Sequence, residues 1–189
     1  MDNFTEQYLD KAKKIIDGID RKKIDKSISM FLEPHGTNRQ IFIIGNGGSA
    51  ATATHFANDL TKFCSVEGKK RFKAISLTDN VSTITALAND ISYDKIFSEQ
   101  LLNLVNEDDL LVVLSASGNS PNVIEAVKAA KEHGAKTLGF LGFDGGKLKG
   151  MVDEYVLIEN NDFGLVESVH LLLEHLIVNS LRKKVLGEK

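Results

Sequence analysis

Residues 40–60 run QIFIIGNGGSAATATHFANDL. Residues 41–44 are β-branched or aromatic and end at a glycine, which suits a short strand buried on both faces. The turn Gly45-Asn46-Gly47-Gly48-Ser49 follows, and a helix begins at once with Ala50-Ala51-Thr52. The same unit recurs down the chain: residues 74–77, 110–114, 137–141 and 155–158 are short apolar runs that alternate with amphipathic helical stretches. That alternation predicts an α/β fold, a three-layer αβα sandwich around a five-stranded parallel sheet.

Upstream, Phe4, Tyr8, Ala12, Ile15, Ile16 and Ile19 repeat at helical spacing, and Ile24, Ile28, Phe31 and Leu32 continue the pattern. Two helices are therefore expected before the first strand. With no repeat, low-complexity tract or proline-rich linker, residues 1–189 are expected to form a single domain, a helical extension (1–34) followed by the α/β core (35–189). The last helix, about 165–185, carries leucine, valine and isoleucine around nearly its whole circumference. A helix apolar all round is expected to be buried all round, in part against another subunit, which predicts a homo-oligomer.

The chain has 189 residues, 42% hydrophobic and 26% charged, with a net charge of -3. It lacks the basic excess that a polyanion would require, so no nucleic-acid partner is expected. Cys64 is the only cysteine, so no internal disulfide can form and a reducing compartment suits the composition. The opening MDNFTEQYLDKAKK has no apolar signal-like stretch, and no run approaches the roughly 20 residues needed to span a bilayer. A cytoplasmic protein with no membrane partner is the expectation.

Two loops have the makings of a phosphate site. Glycines at 45–48 let the backbone approach a ligand where a helix N-terminus points its free amides, although a glycine-rich strand-to-helix turn is also ordinary connection chemistry. The third strand runs into Ser115-Ala116-Ser117-Gly118-Asn119-Ser120-Pro121, with Pro121 at a first helical position and Ser120 as its N-cap. Capping accounts for Ser120 but not for Ser115, Ser117 and Gly118 upstream. Hydroxyls and free amides together form a neutral cradle for a phosphate monoester, at the strand ends where open α/β sheets bind ligands.

GNGGSA after the first strand and SASGNSPNV after the third resemble the SIS (sugar isomerase) domain, a flavodoxin-like fold. The chain as a whole resembles its phosphoheptose isomerase branch, matching also at HFANDL, Ala88-Asn89-Asp90, GFDGG (142–146) and the paired histidines of the last helix. The resemblance implies an isomerase converting sedoheptulose 7-phosphate to D-glycero-D-manno-heptose 7-phosphate, a precursor for lipopolysaccharide or capsule, in a homotetramer with sites between subunits. It implies sugar-phosphate contacts from Asn46, Gly47, Gly48, Ser49, Asp59, Asn89, Asp90, Ser115, Ala116, Ser117, Ser120 and Glu167. A Zn2+ site would map to His55, Asp59, Glu167 and His175.

His55 and Asp59 are four apart and share one helix face just beyond the glycine loop. Glu167, His170, Glu174 and His175 interrupt the apolar last helix, where polar groups without partners are costly. Glu167 and His175 are eight apart, about 12 Å of rise, too far to hold one metal from a single helix. If both serve, different subunits complete their sites. His170 reads equally well as an interface histidine. Aldose–ketose exchange needs a base and an acid, and Asp59 and His175 are assigned those roles. Where the family has Glu and Gln this chain has Asp59 and Glu167, and the family's Ala-Arg-Ile-Gln reads Gly164-Leu165-Val166-Glu167. The alternatives are an isomerase of another phosphorylated sugar and a non-catalytic phosphosugar-binding SIS protein.

Overall fold

The structure, a computed structural model, describes residues 3–188. Helices α1 (Phe4–Gly18) and α2 (Arg21–Leu32) come first. The Asp20 carboxylate starts α2 by accepting the Lys22 N–H at 2.9 Å. Strand β1 (Ile41–Gly45) leads into α3 (Gly48–Asn58), which widens into a π-helical turn at Asp59–Phe63. Then come β2 (Ala74–Ser76), α4 (Val81–Asp90), α5 (Ser98–Leu102), β3 (Leu110–Ser115), α6 (Pro121–Glu132), β4 (Lys136–Gly142), β5 (Glu154–Ile158) and α7 (Phe163–Leu186).

The five strands are parallel in the order β2-β1-β3-β4-β5, with Ile41 opposite Leu110 and Leu110 opposite Lys136. Successive side chains point to opposite faces. Ile41, Ile43, Val112, Leu114 and Phe140 pack with α2, α3 and α7 in one core. Phe42, Ile44, Leu111 and Val113 pack with α5 and α6 in the other. The expected three-layer αβα architecture is what forms, and each strand lies within a residue or two of its sequence-based bounds. Strand order reverses at the β1–β3 pair, so the loops leaving those strands diverge and open a crevice at their carboxyl ends.

Helix α7 departs from the expectation of burial all round. Leu165, Val169, Leu173, Ile177 and Leu181 face the core, while Leu172 and Leu176 are 43% and 44% exposed. The helix lies on the outside of one layer, where the sheet covers one side only. Its apolar circumference is therefore wider than this chain alone can cover. No helix among the described residues is long and apolar enough to cross a membrane.

Candidate active site

The loops after β1 and β3 are tied together across the crevice. Asn46 Nδ2 donates to Asn122 Oδ1 and Asn122 Nδ2 donates to Asn46 Oδ1, both at 2.9 Å. The Tyr93 hydroxyl donates to Asn46 Oδ1 at 3.1 Å. Asn122 is buried and Tyr93 comes from the segment after α4. Neither was marked by the sequence, because their partner lies far away along the chain.

Within the second loop, Ser115 Oγ accepts the Gly118 N–H at 3.0 Å and Ser117 Oγ accepts the Asn119 N–H at 3.3 Å. Ser120 occupies the N-cap position of α6 with Pro121 next, yet its hydroxyl makes no capping bond. That hydroxyl instead lines a pocket of about 110 Å³ shared with Asn46, Ser49, Ser115, Ser117, Phe163 and Glu167. At roughly 10–15 Å³ of solvent-accessible space per water, this is room for several waters, enough for one phosphate group.

The 142–148 stretch braces the loop from behind. The Leu148 N–H donates to the Gly118 carbonyl at 3.0 Å and the Lys147 N–H to Asn119 Oδ1 at 3.1 Å. A Cβ on Gly118 would lie 2.0 Å from the Gly145 carbonyl oxygen, and φ there is +63°. Only glycine meets both conditions.

A second group of polar residues forms farther along α3 and α7. One donor atom each from His55, Asp59, Glu174 and His175 lie within 4.8 Å of one another. His55 Nε2 is 3.7 Å from Asp59 Oδ2, His175 Nε2 is 3.4 Å from Glu174 Oε2, and the two imidazoles meet edge to face at 5.0 Å. Asp59 opens the π-helical turn, a local distortion that often marks functional positions. Glu174 is 1% exposed, and among the described residues neither of its oxygens has a hydrogen-bond partner. Burial first, then the neighbouring Asp59 carboxylate, pushes its pKa up to about 8.

The structure thus brings His55, Asp59 and His175 together, with Glu174 beside them, and places Glu167 elsewhere in this chain. The Glu167 carboxylate lies against Gly48 at the start of α3, so close that a Cβ on Gly48 would be 2.2 Å from Oε2. The partial positive charge of a helix N-terminus favours a carboxylate there. Asn89 and Asp90 end α4 on an exposed face, with Asn89 Nδ2 donating to Asp90 Oδ1 at 2.8 Å, and they do not line the serine pocket. His170 is a core residue and not a surface one, 1% exposed beside Phe140, and burial drives its pKa down to about 4.

Two imidazoles and two carboxylates suit a divalent cation such as zinc. The orphaned Glu174 oxygens are what such an ion would satisfy. Cys64, though near, offers no sulfur: its buried thiol donates to the Val178 carbonyl, and burial raises its pKa to about 12.

The SIS domain family matches residues 7–142. The chain belongs to that family. Among SIS proteins it is similar to the phosphoheptose isomerase of Clostridium acetobutylicum, 34% identical over 100% of this chain and 98% of that one. It is 39% identical to the phosphoheptose isomerase of Aliarcobacter butzleri over 83% of this chain and 82% of that one. The phosphoheptose isomerase structure from Neisseria gonorrhoeae superposes with a TM-score of 0.85 at 34% identity, covering 94% of each chain.

Proposed function

We propose that this chain is a phosphoheptose isomerase that interconverts sedoheptulose 7-phosphate and D-glycero-D-manno-heptose 7-phosphate through an enediol. The observation that carries the reading is the pairing of α3 with α7. The helices run side by side in one direction, meeting at Gly48 and Glu167 beside the serine pocket and again at His55 and His175. Gly48 and His55 are seven residues apart, about 10 Å of helical rise. An extended seven-carbon chain with a terminal phosphate spans eight bonds at roughly 1.2 Å each, again about 10 Å. A phosphate held by the 115–120 loop therefore sets C1 and C2 beside Asp59 and His175.

In this reading Ser115, Ser117, Ser120 and the backbone of the 115–120 loop, the Ala116 amide included, hold the phosphate without a lysine. Asn46, Gly47, Gly48 and Ser49 close the pocket from the other loop, while Asn89, Asp90 and Glu167 serve the sugar hydroxyls. Asp59 takes a proton from C1 of the ketose and returns it at C2, and His175 moves protons between the oxygens at C1 and C2. A zinc ion held by His55, Asp59, His175 and a carboxylate of α7 would polarise the carbonyl and stabilise negative charge on oxygen.

The working form is proposed as a cytoplasmic homotetramer of single-domain subunits, with Leu172 and Leu176 covered by a neighbour and the product destined for surface polysaccharide. One feature favours a different phosphosugar as substrate: the family's Arg position is Leu165, buried at 1% exposure, so it offers nothing to the far end of a sugar. Replacing Asp59 by Asn tests the catalytic assignment. Turnover should vanish while phosphosugar affinity stays within about threefold by calorimetry, and full activity in D59N would sink it.

A further inference from the structure

We propose that Tyr93 is a positioning residue of the sugar-phosphate site: its hydrogen bond to Asn46 sets which atom the Asn46 amide presents to the ligand. The same bond ties the segment after α4 to the two phosphate loops. The inference rests on the isomerase reading above and adds a residue that neither the family resemblance nor the lining of the serine pocket marks.

The donor and acceptor count of Asn46 is the first support. An amide oxygen has two acceptor sites and an amide nitrogen two N–H donors. Asn46 Oδ1 accepts from Asn122 Nδ2 at 2.9 Å and from the Tyr93 hydroxyl at 3.1 Å, so both of its acceptor sites are filled. Asn46 Nδ2 commits one donor to Asn122 Oδ1 at 2.9 Å, and among the described residues nothing takes the other. Asn46 lines the serine pocket, and the group it has left for a ligand is an N–H, which suits a phosphate oxygen. Asn122 alone does not secure this, because a reciprocal amide pair is equally satisfied when both amides turn over together. Turned over, Asn46 would give its second N–H to Tyr93 and keep a free oxygen lone pair, which a phosphate repels. A phenol donates more readily than it accepts, since its ring draws on the oxygen lone pair, so Tyr93 favours the donor arrangement.

The base from which Tyr93 reaches is the second support. Tyr93 opens the short turn Tyr93–Lys95, three residues beyond Asp90 at the end of α4. Directly after the turn, Ile96 and Phe97 are buried in the core beneath α5 and α6. Lys95 Nζ meets Glu125 Oε2 on α6 at 2.5 Å, and Glu125 stands three residues after Asn122 on one face of that helix. The turn and Asn122 are thus held in register, and both meet Asn46. Through that residue the 89–90 segment is joined to the 45–49 and 115–120 loops.

Exposure is the third. Tyr93 is 55% exposed, so water can replace its partner and the bond adds little to the stability of the fold. It does not line the pocket, so its effect on a ligand passes through Asn46.

The test is a double-mutant cycle on the full-length protein: wild type, Y93F, N46A and Y93F/N46A, each with sedoheptulose 7-phosphate by turnover kinetics and calorimetry, and each melted. Y93F should raise KM and Kd by about 3–10-fold, the worth of one hydrogen bond. Its kcat should stay within about twofold, because Asn46 serves the phosphate end and not the reacting carbons. Its Tm should stay within about 2 °C of wild type. In the N46A background Y93F should cost no further affinity. Unchanged Kd in Y93F, or the same loss with and without Asn46, overturns the assignment, as does a Tm lowered by more than about 5 °C, which marks a structural role. A wild type that binds the sugar without turning it over overturns the isomerase reading, while the affinity cycle still decides the role of Tyr93. A wild type that does not bind it overturns both.

Discussion

Replacing Gly118 by alanine should damage stability and phosphosugar binding together. The new Cβ would sit 2.0 Å from the Gly145 carbonyl oxygen and 2.4 Å from its carbon, both backbone atoms that cannot rotate aside. Reaching a tolerable 3.0 Å means moving one loop by at least 1.0 Å. The left-handed backbone adds about 1–2 kcal/mol for a non-glycine residue. Overpacking adds about 1–3 kcal/mol, so a total near 3 kcal/mol is reasonable. A protein of this size loses about 2–4 °C per kcal/mol, and Tm should fall by about 6–12 °C. The same displacement moves the amides and hydroxyls of the 115–120 loop, and a shift of about 1 Å in a positioning group can cost on the order of 100-fold. Gly150→Ala is the control, because a Cβ there meets nothing within 4 Å. Thermal melting and calorimetric titration with sedoheptulose 7-phosphate read both effects. A G118A protein that melts within 2 °C of wild type and binds equally well would show that the loop is not braced as described.

His170 should make the protein acid-sensitive. Its folded pKa of about 4 lies below the ordinary 6.5, so its contribution is intact above pH 6.5 and is lost as pH falls toward 4. The loss amounts to about 3 kcal/mol, and H170L should flatten that part of the pH–stability curve in chemical denaturation; an unchanged slope would contradict the burial of a neutral imidazole. The exposed Leu172 and Leu176 should be covered in an assembly, so light scattering should give a multiple of the 20.7 kDa chain mass. The L172E/L176E double variant should shift toward that single mass, and an unchanged mass would place the interface elsewhere.

The layers were legible in the sequence because each strand is a short, largely apolar run ended by a polar or glycine-rich turn, which the hydrophobic pattern marks directly. The glycine-rich and serine-rich loops after β1 and β3 were legible for the same reason, since each is contiguous in the chain. What escaped depends on contacts distant along the chain. Asn122 matters through Asn46, 76 residues away. Glu174 was marked as needing a partner, but its place beside His55 and Asp59 depends on the rotation of α7 against α3 and on a π-helical turn that no sequence period encodes. The burial of His170 inside this chain escaped for a related reason: a helix apolar on every side gives no sign of which side the sheet will cover.

The most direct measurement is proton NMR of sedoheptulose 7-phosphate incubated with the protein in deuterated water. Formation of heptose 7-phosphate with deuterium entering at C1 of the ketose and C2 of the aldose, lost in D59N, is the expected result. A folded protein that binds the phosphosugar yet gives neither product nor exchange with it or any other ketose phosphate would contradict the account and leave a non-catalytic binding protein in its place.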